Sequence, residues 1–584
     1  MPKNVMKLLK PSPNYGRNDF DESHRHLFAA NFGELIPGSC IETVPNDKIL
    51  IRISDLVRAQ PMVTSPFLRA KQHCDIWFVP YNLMWSKFDE FLVDKDEPAS
   101  SSLREREFVP WTDLDEIQFA LDKYYTSNPR YTDIHSRQCY KQIARNLDLL
   151  GYSGTLLLDS IVSSLQYQNK GVNLWRILAY NLIWYREYRQ QYYDDGKYLI
   201  PSSLVSNPNA AAFLFNMDFL ECSTQANAKL AYSQYSDYRE LLAAMLQPRY
   251  RCWKKDLYTG LLPSTQFGNV SLVSDNVFNG RIVLENTTSW LGTPATADTF
   301  LGTDNAVGLR YGSDSLSDTA LRSAVSSSFD ILALRKSEAI QKWRENALRA
   351  GNQVQDNFEA HYGVKPQSHM DVHPQHVASF DAPLNIGDIM STAETGAAIN
   401  GVVGDVAGKG IMSFSGDQTI KFETNDFGVL MCIYSILPEA EYNSNGVDRM
   451  NCLLEREDYF FNEYENLGLE AVDRSVVTNL GNTSGILGYA PRYFGYKQKL
   501  DRVCGEFQDF QGYHGQFSPW VAPKFDVDDS VPGQPVPLST LYVNPDVFNN
   551  NFHYANNVVD QFVCDFYVDC EAIRQMSVSG MPGY

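Results

Sequence analysis

The stretch KQHCDIWFVPYNLMW, residues 71–85, sets His73, Cys74 and Asp75 side by side. In the right geometry these residue types make a nucleophile, a base and an orienting carboxylate. Neighbouring side chains of an extended chain point to opposite faces, so a strand over 72–79 holds Cys74, Ile76 and Phe78 on one side. His73, Asp75, Trp77 and Val79 fall on the other, the thiol and imidazole do not meet, and the stretch reads as architecture. HMDVHPQH offers His369, His373 and His376 to a metal, yet Pro374 bars the helix that would align the first two, and a polar loop is expected. GVVGDVAGKG, residues 401–410, resembles a phosphate loop only superficially: a Walker motif needs Gly where Val403 stands and Ser or Thr where Gly410 stands. It reads as a flexible loop. Arg176, Arg186 and Arg189 beside Trp175, Trp184 and Tyr185 could stack nucleobases, but the reading taken is core packing with arginines at its rim. No nucleophile elbow, zinc-protease helix or dinucleotide fingerprint is present, so neither catalysis, a metal nor a cofactor is expected.

The bulk chemistry narrows the classes. At 584 residues, 44% hydrophobic and 13% aromatic, the chain is that of a folded protein. Its length would normally imply several domains, although elaborated β folds carry large insertions within one. A net charge of −20 argues against a general polyanion-binding surface. One local exception exists: Lys3, Lys7, Lys10 and Arg17 occur before the first acid, making residues 1–19 either a basic arm or an ordinary solvated terminus. The 10 cysteines are scattered without a C-x-x-C pair, as in a reduced protein. No run approaches the ~20 apolar residues of a membrane span, and a soluble, cytoplasmically folded protein is expected.

The elements that must position these residues follow from periodicity. DKILIRISDLV (47–57) alternates, GVLMCIYSILP (428–438) is continuously apolar, and QFVCDFYVDC (561–570) sets Phe562, Cys564, Phe566, Val568 and Cys570 on one face. Strands are therefore expected near 40–80, 428–438 and 560–572. Helices are expected over 173–190, capped by Asn173, and over 333–350, with Ile340, Trp343 and Ala347 on one face and Gly351 as its stop. Met84, Trp85, Phe88, Phe91 and Leu92 follow Pro80 at helical spacing. Residues 293–328, rich in Ser, Thr, Gly and Asp, read as a long surface loop. Strands at both ends with helices between imply a sandwich or barrel in one discontinuous domain, 20–584, with insertions mainly within 95–395 and 440–555.

Several blocks together carry a family likeness. FDESHRHLFAANFGELIPGSCIETVPNDKILIRIS (20–54), VRAQPMVTSPF, IWFVPYNLMWSKFDEFL, WKKDLYTGLLPSTQFG (253–268), HYGVKP (361–366), LGYAPRYFGYKQKLDRVCGEF (487–507) and MSVSGMPGY (576–584) resemble, in order, the major capsid protein of Microviridae. These are tailless phages with circular single-stranded DNA, and the likeness is strongest to the gokushovirus-like and gut-phage branches. Phe78, Pro80, Trp85, Gly260, Pro263, Gly488, Tyr489, Gly505, Pro582 and Gly583 are the structural marks of these blocks. The resemblance implies a mainly β fold: a single jelly roll, an eight-stranded antiparallel β-barrel of viral capsid type, with large helical and loop insertions. It implies a non-catalytic subunit that self-assembles into an icosahedral shell in the cytoplasm of a bacterial host. The implied partners are further copies, packaged single-stranded DNA touched by Lys3, Lys7, Lys10 and Arg17, other virion proteins and a host surface receptor, but no membrane. The rival from another class is a β-sandwich carbohydrate-binding protein or glycoside hydrolase using carboxylates such as Asp94 and Glu97.

Overall fold

The computed structural model describes residues 16–62, 69–92, 108–125, 139–201, 204–207, 209–220, 222, 225–230, 237–257, 259–266, 282–286, 307–311, 314–315, 331–351, 354–364, 373–383, 385–390, 406–415, 419–439, 446–477, 485–499, 501–510, 513–514, 538–552, 560–576 and 578. They fall into two compact units, one within Met1–Pro263 and Gln367–Tyr584, the other within Ser264–Pro366.

In the first unit the chain runs through β1 (Asn18–Asp21), β2 (His24–Ala30), β3 (Glu34–Thr43), β4 (Asp47–Ala59) and β5 (Ala70–Pro80). Then come α1 (Tyr81–Met84), α2 (Phe88–Leu92), β6 (Trp111–Asp113), α3 (Leu114–Tyr125), α4 (Cys139–Leu149), α5 (Gly154–Ser163), β7 (Gly171–Asn173), α6 (Trp175–Ile183), α7 (Tyr238–Leu246) and β8 (Arg249–Tyr250). The second unit contains β9 (Ile282–Asn286), β10 (Val307–Tyr311), β11 (Asp314–Ser315), α8 (Ile331–Ala350) and α9 (Val354–Tyr362). The first unit resumes with β12 (Gln375–Pro383), β13 (Asn385–Met390), β14 (Val406–Ser415), β15 (Ile420–Thr424) and β16 (Gly428–Pro438). It ends with β17 (Leu469–Asp473), β18 (Ile486–Pro491), α10 (Phe494–Lys497), β19 (Asp509–Phe510), β20 (Tyr513–His514), α11 (Leu538–Leu541) and β21 (Phe562–Arg574).

Two antiparallel sheets dominate. In the first, β21 lies between β4 on one side and β1 and β2 on the other, with β14 and β15 beyond β4 and β13 outermost; the second runs β12-β5-β16-β3-β8. The pairing is nested: β2 with β21, β3 with β16, β4 with β14 and β15, β5 with β12. Two further ladders, β21 with β4 and β16 with β5, wind this double strand into stacked layers. Among the described residues no ladder joins one sheet to the other, so the expected barrel is not closed by hydrogen bonds; side chains hold the layers together. The reason lies in the alternation: Ile49, Ile51 and Ile53 of β4 and Phe562, Cys564, Phe566, Val568 and Cys570 of β21 meet Cys74, Ile76 and Phe78 of β5 and Leu430, Cys432 and Tyr434 of β16 in one core.

The second sheet has no solvent face at its centre. Trp77 and Val79 of β5 and Val429, Met431 and Ile433 of β16 point away from the first sheet into a second core, built with Ile117 and Leu121 of α3, Ile143 of α4, Leu178 of α6 and Leu242 of α7. This doubly buried sheet explains why β16 reads as continuously apolar: all its residues are buried.

Local differences from the sequence reading have identifiable causes. The helix expected after Pro80 is two pieces, because Trp85 takes an extended conformation (φ −155°) between α1 and α2 and drives its indole fully into the second core. The 173–190 helix begins later, since Asn173 pairs with Trp111 as part of β7, and Leu174 takes the cap position; its final turn, Trp184–Tyr188, widens to π geometry. Part of 401–410 is strand, not loop: Gly408, Lys409 and Gly410 are laddered to β13, and pairing overrides the weak strand propensity of glycine. Part of 293–328 is also strand, β10 and β11, where Val307, Leu309 and Tyr311 alternate beneath a polar composition.

Trp85→Ala removes a fully buried indole and should cost about 3–5 kcal/mol, read as a lowered urea midpoint.

Candidate functional site

The Cys-His stretch is resolved by its strand. Cys74 faces the inter-sheet core with its Sγ 2.8 Å from Cys432 Sγ, and burial pushes its thiol well above the ordinary value. A thiol held protonated is a poor nucleophile. Burial likewise pushes the Cys40 and Cys252 thiols up to about 12. His73 lies on the opposite face, Nδ1 2.6 Å from Asp381 Oδ1. Asp75, on that same face, is enclosed by donors: Tyr188 Oη at 2.6 Å, Ser379 Oγ at 2.7 Å and Arg251 at 3.3 Å, while Trp77 Nε1 donates to Tyr188 Oη at 3.1 Å. The arrangement satisfies a buried carboxylate between sheet and helices.

The histidine motif disperses. His369 lies outside the described residues, His373 is buried, and His376 bonds Ser379 Oγ at 2.6 Å while its ring meets Trp77 edge-on. No group of three candidate metal ligands occurs among the described residues. The Arg-aromatic helix is core, as read: Trp175 and Trp184 are buried, Arg176 clamps Glu42 (2.6 and 2.8 Å), and Arg189 lies 4.1 Å over the Tyr185 ring. Asp94 and Glu97 lie outside the described residues.

Of the basic arm, Lys3, Lys7 and Lys10 lie outside the described residues. Arg17 is placed just before β1 and donates to the Asn46 side chain in the turn between β3 and β4.

The marks of the family blocks fall in different parts of the fold, and two of the blocks meet. Phe78 lies in the inter-sheet core with its ring 5.1 Å from Phe422, Pro80 closes β5 and caps α1, and Trp85 packs 6.3 Å from Trp175. Gly260 closes a turn onto Asp256 O at 2.9 Å, and the chain runs through Leu262, just before Pro263, into a reciprocal bridge with Tyr489 at 3.0 and 2.8 Å. Gly488 is required there: a Cβ would sit 2.7 Å from Leu261 Cβ. Gly505 opens an exposed short turn, and Pro582 and Gly583 lie outside the described residues.

Sequence reasoning missed the tie between helices and sandwich. Arg145 of α4 forms an ion pair with Glu34 of β3, which is fully buried, and also reaches Ala29 O at 2.6 Å. The available signal was a charged residue, Glu34, placed directly before the apolar run Leu35–Gly38.

Among the described residues the fold is a double-layered β scaffold in which the Cys-His stretch and the Arg-aromatic helix are taken up by packing, an arrangement suited to a building unit. The comparisons say which: the model of the family described as Capsid protein (F protein) matches residues 11–141 and 149–584, and the chain belongs to that phage capsid family. Capsid protein VP1 of Chlamydia phage 1 is 20% identical over 648 aligned residues, covering 98% of this chain and 96% of that protein. The protein is accordingly a structural major capsid protein, a component of a multi-subunit phage virion. Nothing in the comparisons favours the polysaccharide-active rival.

Burial, aided by Arg251, holds the His73 imidazole below its ordinary 6.5 against the opposing pull of Asp381, and burial lowers His26 likewise. The unfolded chain therefore takes up protons first, and stability present above pH 6.5 is lost as pH falls toward the depressed folded values. Thermal melts should show a falling midpoint below pH 6.5, shallower in His73→Gln; an unaltered pH profile in that variant would contradict the assignment.

Proposed function

We propose that the chain is the repeating subunit of a closed icosahedral shell around a circular single-stranded DNA genome, and that its sandwich is a single eight-stranded jelly roll with helical and loop insertions. The observation that carries this reading is the nested pairing of β2 with β21, β3 with β16, β4 with β14 and β15, and β5 with β12. Rolling one long double strand produces that order, and two Greek keys result.

The work of such a subunit is mechanical. It presents surfaces that close under symmetry, and apolar burial across them stabilises the shell by mass action among many copies. Large exposed apolar residues support this: Leu454, Tyr459, Phe460, Phe461 and Leu467 crowd one short segment, and Leu27, Val563 and Tyr567 stand on strands of the first sheet. No catalytic step is assigned, because the buried thiols stay protonated and Asp75 is saturated with donors. Residues 293–328 are proposed to contact a host receptor, a role suited to a polar insertion. Assembly is placed in the host cytoplasm, with other virion proteins joining the shell.

Residues 1–19, with Lys3, Lys7, Lys10 and Arg17, are proposed as an inward arm touching phosphates without reading sequence. Deleting residues 1–17 should leave empty shells intact and lower genome retention as salt rises; unchanged retention would remove the arm from this role. For the function itself, electron microscopy of the overexpressed protein should show closed particles of uniform size. A stable monomer that binds glycans would overturn it.

A further inference from the structure

Helix α8, ILALRKSEAIQKWRENALRA, is a basic element in an acidic protein: five Lys and Arg residues against two Glu, in a chain of net charge −20. Arg335, Lys342 and Arg349 are spaced by seven residues and share one side of the helix over about 21 Å, with Lys336 beside them. All four are exposed, and among the described residues none is ion-paired. Trp343 stands next to this stripe, stacked near-parallel on His361 of α9 (5.8 Å between centroids, 16° between planes) and still 59% exposed. Phe358 and Tyr362 of α9 are exposed as well.

We propose that this face of α8 binds single-stranded DNA, phosphates lying along Arg335, Lys342 and Arg349 and a base stacking on Trp343. The inference rests on the reading that the shell encloses such a genome and names a protein element that holds it, separate from the N-terminal arm. Charge decides the class of ligand: four unpaired cations on one helix in a strongly anionic chain fit a polyanion. The aromatic decides the strandedness, because only an unstacked base offers its face to an indole, and such stacking contributes about 1–3 kcal/mol per base. A helix that docks on a protein groove carries apolar anchors at i, i+3, i+4 and i+7. Here those places along the stripe are Arg335, Glu338, Ala339 and Lys342, which does not fit a groove. The Arg-Trp pairing of α6 offers no comparable site, because both of its tryptophans are buried.

The test uses the full-length chain and a fluorescein-labelled oligothymidylate of about 30 nucleotides, with affinity read by anisotropy across a salt series. A triple variant, Arg335→Gln with Lys342→Gln and Arg349→Gln, should bind at least about tenfold more weakly and lower the salt slope by about two, at roughly 0.7 per lost phosphate contact. Trp343→Leu should weaken binding about fivefold or more without altering that slope. Unchanged affinity and slope in both variants would overturn the proposal. So would variants that bind the oligonucleotide normally but fail to form particles, since α8 would then be a contact between copies. Particle formation by the unaltered chain is scored separately by electron microscopy: its absence overturns the shell reading, while the oligonucleotide data still decide the role of α8.

Discussion

The central sheet is buried on both faces, and the rest of the first unit is arranged around that fact. β5 and β16 give alternate side chains to two different cores, Cys74, Ile76 and Phe78 to one and Trp77 and Val79 to the other. A strand so placed has no position for an unsatisfied polar group. Asp75 is accordingly met by Tyr188, Ser379 and Arg251, each from a different element, and Gln72 by Asp55 of β4 at 3.0 Å. These contacts fix the register of sheet against sheet and of sheet against helix, because a slip of one residue would exchange the two cores' side chains and strand Asp75 in hydrocarbon.

The helical layer is thus a necessary covering for the sandwich. Without α3, α4, α6 and α7 the outer faces of β5 and β16 would expose Trp77, Val79, Met431 and Ile433 to water. The buried pair of Arg145 and Glu34 sits where this layer meets the start of β3, and its geometry specifies where the helices dock more than it adds net stability. These helices lie between β5 and β12 in the sequence and leave the nested order of the strands untouched.

The strands were the most legible part of the chain. Alternation in 47–57 and 561–570 marked the faces that are buried, and the same rule applied to 72–79 parted His73 from Cys74. Legibility failed where a local signal competes with a tertiary partner. Asn173 looks like a cap until Trp111 pairs with it, and the glycines of 406–410 look like a loop until β13 and β4 take up β14 from its two sides. Trp85 follows helical spacing, yet the pull of the second core breaks the helix at that residue. Of the candidate site, the motif blocks were visible as strings, but the bridge joining Leu262 to Tyr489 is a meeting of distant segments that no spacing rule encodes. In α8 the apolar spacing places Trp343 on a buried face with Ile340 and Ala347, yet Trp343 stands in the open among exposed cations, because spacing does not say which side of a helix finds a partner.

The nested order ties the two ends of the chain together: β1 and β2 pair with β21, which also fills the place beside β4. His24 meets Val568 across about 540 residues of chain, so the first sheet closes only when two very distant segments find each other. Contacts of such sequence separation form slowly, and until they do β4 lacks one neighbour and the inter-sheet core lacks Phe562, Phe566 and Val568. The interior of the scaffold is thus the part whose completion waits longest on the path of the chain.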